Sequence, residues 1–171
     1  MERVTVPAFS VRPARTADIE PIEALVAPLV VDRILLGKDL AVLYGAVQEF
    51  RVAVDAETVV GCGALHVMWQ DLGEVRTLTV DRGWRGRGVG HALVDRLEAD
   101  ARELGLTRLF CLTFEVAFFT AHGFHEVVDP VVPPEVAAEL ARSGDEGVAE
   151  FLDLARVKPN TLGNTRMLKA L

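Results

Sequence analysis

The stretch Val80-Asp81-Arg82-Gly83-Trp84-Arg85-Gly86-Arg87-Gly88-Val89-Gly90 joins a strand-like run, Glu74 to Val80, to a helix-like run reaching about Leu104. Glycines at alternate positions, Gly86, Gly88 and Gly90, let the backbone approach a ligand closely with its amide N–H groups unobstructed. The helix that follows aims unpaired N–H groups and the positive end of its dipole at the same spot. Arg82, Arg85 and Arg87 add mobile positive charge. The stretch reads as a pocket for a phosphate or pyrophosphate; the bland alternative is a glycine-rich surface turn with solvated arginines. A Walker A loop does not fit, because Gly90 is followed by His91 and Ala92 rather than by lysine and a hydroxyl residue. Nor does the dinucleotide fingerprint, whose glycines are spaced two and then three apart.

Outward from this loop, the 171 residues suit one domain with a substantial core of its own. Half of them are apolar, which points to a globular chain. A net charge of -7 argues against nucleic acid as the main partner. Cys62 and Cys111 sit in apolar, strand-like runs and read as two reduced core cysteines, with a disulfide as the alternative. Residues Met1 to Ser10 lack the apolar core of a signal peptide, and no apolar run approaches membrane-spanning length. The expected location is the cytoplasm, with no membrane association.

The pattern predicts a short strand from Phe9 to Arg12, then a helix from Thr16, its cap, that Pro28 should kink or end. A second helix follows Gly37. Strands follow at Phe50 to Val54, Thr58 to Met68 and Glu74 to Val80. After the glycine loop, Leu93, Val94, Leu97, Ala101 and Leu104 line one helix face and Asp95, Glu98, Asp100 and Glu103 the other, with Gly105 as the stop. A strand at Arg108 to Leu112 and a short helix at Val116 to His122 come next. The helix between two strands predicts a right-handed crossover joining parallel neighbours. Residues 130–150 read as a Pro-rich and helical insertion: a stiff spacer, a helix from Glu135 to Arg142 and the polar loop Ser143 to Gly147. Phe151 to Leu171 is expected to hold a last strand or packed tail.

The pattern Arg85-x-x-Gly88-x-Gly90 between strand and helix resembles the acetyl-CoA pyrophosphate loop of the GNAT acetyltransferases. Phe118-Phe119-Thr120-Ala121-His122-Gly123-Phe124 resembles that family's aromatic-aromatic-x-x-x-Gly-Phe signature. The resemblance implies an α/β fold: a central mixed, twisted sheet, splayed between its fourth and fifth strands, with helices on both faces. Acetyl-CoA would lie in the splay, contacted by Leu78, Thr79, Val80 and Phe119, with its pyrophosphate on amides from Arg85, Gly86, Arg87, Gly88, Val89 and Gly90. More narrowly, Gly61 to Leu65, Gly73 to Val80, Leu109 to Thr113 and Asn164 to Leu168 look like segments of the N-acetylglutamate synthases, in their short single-domain form. Small GNAT domains often pair, so a homodimer is a further expectation from resemblance.

Acetyl transfer to an α-amino group needs a base to take the ammonium proton, a polarised thioester carbonyl and an acid for the departing thiolate. The resemblance puts Glu74 in the base position and Thr113 near the sulfur, where many family members carry a tyrosine on the helix now occupied by Phe118-Phe119. Glu74 could instead simply pair with Arg76, two residues along the same strand face. Lys38, Arg76, Thr165 and Arg166 match or lie near basic and hydroxyl positions that would hold an amino-acid acceptor. Gly163 stands where an arginine is usual, which leaves glutamate and glutamine both open as acceptor. The expected reaction is direct transfer to L-glutamate, the first step of arginine biosynthesis, with L-glutamine as a further acceptor and with no metal. The competing readings are transfer to another small amine or a protein N-terminus, and a non-catalytic acetyl-CoA sensor.

Overall fold

The computed structural model describes residues 8–152 and 163–171. In chain order the elements are β1 (Ser10–Pro13), α1 (Ile19–Val31), α2 (Leu40–Gly45), β2 (Phe50–Asp55), β3 (Thr58–Val67) and β4 (Leu72–Val80). They continue with α3 (Val89–Glu103), β5 (Arg108–Thr113), α4 (Val116–Ala121), β6 (His125–Glu126), α5 (Pro134–Leu140), α6 (Glu146–Phe151) and β7 (Thr165–Ala170). The strands form one seven-stranded sheet in the order β1-β2-β3-β4-β5-β7-β6. Among the described residues only β4 and β5 pair in parallel, the crossover between them being α3. This is the mixed sheet the resemblance implied.

Side-chain alternation divides the core between the two faces. On one face Val94, Leu97 and Ala101 of α3, with Phe119 of α4, bury Leu65, Val75, Leu109 and Cys111, while Leu93 and Val89 pack on Ala53 and Val60. On the other, Ile19, Ile22 and Val26 of α1 and Leu43 of α2 cover Val52, Cys62 and Ala64. Helices α5 and α6 cover Leu72 and Phe110 further along this second face, through Val136, Leu140, Val148 and Phe151. Glu74 and Arg76 share the side-chain parity of Leu72, so they face the seam between the two helical groups. Both cysteines are free and buried, and burial pushes the Cys62 thiol up to about 12.

Several local expectations change. Helix α1 does not end at Pro28 but runs on to Val31: the Pro28 carbonyl still takes the Asp32 amide at 3.1 Å, and Val30 packs, partly buried, against the core. Thr16 opens a single 3-10 turn, and Asp18 sits at the N-cap of α1, its carboxylate bound by Arg12 and the Arg15 amide, each at 2.7 Å. Leu104 lies past the end of α3 and is 62% exposed. Glu98, expected on the solvated face, is buried with its carboxylate 2.7 Å from Lys169 of β7. The expected loop at 143–147 holds through Asp145 and gives way at Glu146 to α6, whose N-cap Asp145 accepts the Val148 amide at 2.9 Å. A glycine in the first helical turn hid it.

Candidate active site

Pairing between β4 and β5 runs from Leu72↔Arg108 to Glu74↔Phe110 and then stops, although β4 continues to Val80 and β5 to Thr113. The strands part there, and a cavity of about 650 Å³ opens between them. It runs from the glycine loop, past Leu78, Thr79 and Val80 and the rings of Phe118 and Phe119, to Lys38, Glu74, Arg76 and Thr113. One wall is irregular: β4 places Thr77 and Leu78 opposite the single residue Gly63 of β3, and Thr77 takes φ +56°. A bulge with a non-glycine residue in the left-handed region is strained backbone, and it turns β4 beside the cavity.

At the loop end, Gly86 and Gly88 have φ values of +75° and +83°, and added β-carbons there would meet nothing within 4 Å. Backbone conformation, not crowding, requires glycine at these two positions. Gly88 is the N-cap of α3, a helix of 15 residues, so its unpaired amides face the cavity mouth. Arg85, Gly86, Gly88, Val89 and Gly90 all line the cavity, whereas the Arg87 guanidinium lies 4.8 Å from the centre of the Trp84 ring. The buried Thr79 hydroxyl has no hydrogen-bond partner among the described residues. The loop fits a diphosphate: open backbone, a helix N-terminus and an adjacent arginine.

The far end is built from charges. Glu74 and Arg76 are 4% and 7% exposed, and Arg76 Nε donates to Glu74 Oε2 at 2.7 Å. The rest of the guanidinium forms a two-pronged contact with Asp145, at 2.7 and 3.1 Å. Arg76 therefore joins two carboxylates. Burial pushes the Glu74 carboxyl above its ordinary range, opposed by Arg76 and more weakly by His66 and Lys38. Burial likewise works against Asp145, but its bonds to Arg76 and the Val148 amide bring it down to about 2. Desolvation, then the Arg76 charge, lowers Lys38. Thr113 is buried in the cavity wall, its Oγ1 accepting the Glu115 amide at 2.8 Å, which leaves the hydroxyl hydrogen available to donate.

The structure thus gathers Lys38, Glu74, Arg76 and Thr113 at one end and the loop residues with Phe119 at the other. Thr165 pairs across from Thr113 in the β5–β7 ladder but does not line the cavity. Arg166 stands apart from it too, donating to the Phe151 carbonyl at 2.6 Å with its guanidinium near the Phe110 and Phe151 rings. Asp145, Gly147, Glu150 and His91 were not foreseen; the last three line the cavity. His91 is hydrogen-bonded to His122 at 2.7 Å, and desolvation and the neighbouring His91 lower His122. Among the described residues no group of three or more His, Cys, Asp or Glu side chains gathers to hold a metal.

Residues 35–127 match the acetyltransferase (GNAT) family, and the chain belongs to it. It is 56% identical over 164 residues to the amino-acid acetyltransferase of Mycobacterium tuberculosis, covering 94% of each chain. A crystal structure of a protein from the same organism, in complex with CoA and NLQ, is also 56% identical; it superposes with a TM-score of 0.91, covering 95% of this chain and 99% of that one. The N-acetylglutamate synthase of Neisseria gonorrhoeae, complexed with coenzyme A and N-acetyl-glutamate, shares the fold at a TM-score of 0.75 and 24% identity. The match covers 95% of this chain and 35% of that one.

Proposed function

We propose that the protein is an amino-acid N-acetyltransferase that moves the acetyl group of acetyl-CoA to the α-amino group of L-glutamate or L-glutamine. The observation that carries the reading is one continuous cavity with a glycine loop suited to a diphosphate at one end and a buried carboxylate paired with Arg76 at the other. Family membership and the M. tuberculosis relative's name support the same chemistry.

Glu74, desolvated and raised, is suited to take a proton from the α-ammonium, directly or through water. The freed nitrogen attacks the thioester carbonyl, whose growing oxyanion is met by a backbone N–H of β4 beside the bulge. The C–S bond then breaks, the departing thiolate takes the second proton shed by the nitrogen, and the Thr113 hydroxyl, its oxygen already accepting the Glu115 amide, serves as a hydrogen-bond donor to that sulfur. Lys38 attracts the acceptor's carboxylate. The Arg76 charge is already shared by Glu74 and Asp145, which leaves less for a second carboxylate and favours the neutral amide of glutamine.

The finer reading, a cytoplasmic enzyme opening arginine biosynthesis as a pair of identical chains, extends from the resemblance to the N-acetylglutamate synthases. Incubation with acetyl-CoA and a panel of glutamine, glutamate, aspartate and spermidine, with products identified by mass, tests the proposal. N-acetylglutamine or N-acetylglutamate is the expected product. Acetylation of spermidine alone, or no product despite acetyl-CoA binding, would overturn it.

A further inference from the structure

We propose that Asp145, presented by the first turn of α6, is a positioning residue for acetyl transfer: it anchors the Arg76 guanidinium so that Arg76 fixes Glu74 at the acceptor end of the cavity. The inference rests on the reading of Glu74 as the base. Arg76 comes from the sheet and Asp145 from a helix 69 residues later, yet both carboxylate oxygens engage both terminal nitrogens of the guanidinium. A guanidinium is planar and donates in fixed directions. With its terminal nitrogens held by Asp145, Nε is directed at Glu74 Oε2.

The turn is shaped for this contact. A β-carbon on Gly147 would lie 2.5 Å from both Cζ and Nη2 of Arg76, so any other residue there must displace the guanidinium. Asp145 is itself held, its Oδ1 accepting the Val148 amide at 2.9 Å and its own amide donating to Ser143 Oγ at 3.1 Å. Residues 143–148 therefore place one carboxylate and one gap where the guanidinium needs them. The segment read from sequence as a polar loop closes the acceptor end.

The arrangement also sets the charge that Glu74 feels. The groups facing it are Arg76 on its own strand, His66 across on β3 with Glu49 bound to that imidazole at 2.6 Å, and Lys38 ahead of α2. Cys111 on β5 and Asp145 complete the set. Glu150 of α6 lines the same cavity. Asp145 neutralises part of the guanidinium; without it, the Arg76 charge bears on Glu74 alone and weakens it as a base.

The test is steady-state kinetics of Asp145→Asn across pH, alongside Gly147→Ala, which keeps the carboxylate and the cap but pushes on the guanidinium. Asp145→Asn should lower kcat roughly tenfold or more, leave the acetyl-CoA KM unchanged and move the acid limb of kcat/KM to lower pH. Gly147→Ala should lower kcat with the acetyl-CoA KM again unchanged. If Asp145→Asn fails to fold, Gly147→Ala decides. An unchanged kcat and acid limb in folded Asp145→Asn, or an unchanged kcat in Gly147→Ala, would overturn the proposal. So would a lower amino-acid KM at full kcat, which would make Asp145 a competitor for Arg76 rather than its anchor. Wild-type protein that binds acetyl-CoA without turning over would instead defeat the acetyl-transfer reading beneath it.

Discussion

The two ends of the cavity are made in opposite ways. The loop end is one continuous stretch, Leu78 to Gly90, that offers the cavity backbone amides and glycines. The charged end is assembled from Lys38, Glu74 and Arg76, Thr113, and Asp145, four separate parts of the chain, and works through side chains that partly neutralise one another. A site made of backbone is tied to local conformation and can be altered only through it. A site made of paired charges depends on packing from distant elements, and losing one partner exposes the others.

That contrast predicts its largest effect at Arg76. Arg76→Ala leaves a buried Glu74 and a half-buried Asp145 without their shared cation, and should cost about 3–5 kcal/mol of stability, read by urea denaturation at neutral pH. Without the cation the folded pKa of Glu74 would rise further above its unfolded value and Asp145 would lose the part of its depression that Arg76 supplies, so ionisation favours folding less in the variant than in wild type. The deficit should therefore shrink as pH falls through the carboxylate range. A loss of under 1 kcal/mol, independent of pH, would mean that the charged end is less coupled than its geometry says.

Lys38→Ala sharpens the division between the ends. Losing one charge-assisted contact to the acceptor should raise the amino-acid KM about ten- to a hundredfold and leave the acetyl-CoA KM nearly unchanged. Equal effects on both substrates would break the division. Gly88→Ala probes the loop end and should be the mildest of the three. It places a side chain at φ +83° at a cost of about 1–2 kcal/mol. Acetyl-CoA affinity should fall about tenfold by calorimetry while the amino-acid KM holds.

The same contrast explains what the sequence could reveal. The glycine loop, α3 and the crossover to β5 are governed by residues near in sequence, where turn chemistry and helical periodicity apply. Phe119 was legible through the aromatic pattern ending at Gly123-Phe124. Arg76 was legible as a cation near the acceptor, but not as a residue held on both sides, because Asp145 approaches it only once α6 packs against β4 and β5. Glu98 misled for the same reason: helical spacing placed it outward, and Lys169 of β7 supplies the partner that lets it stay buried. His91 and His122, 31 positions apart, carried no local signal of their hydrogen bond.

The most direct measurement is Glu74→Gln, with acetyl-CoA affinity by calorimetry and acceptor-dependent thiol release determined on the same preparation. If the loop end binds the donor independently while the charged end supplies the base, affinity should match wild type and kcat should fall about 10²- to 10⁴-fold. The remaining rate should also lose the acid limb expected of wild type from its raised Glu74 carboxyl. Turnover near the wild-type level, or an affinity loss as large as the rate loss, would contradict that division of labour.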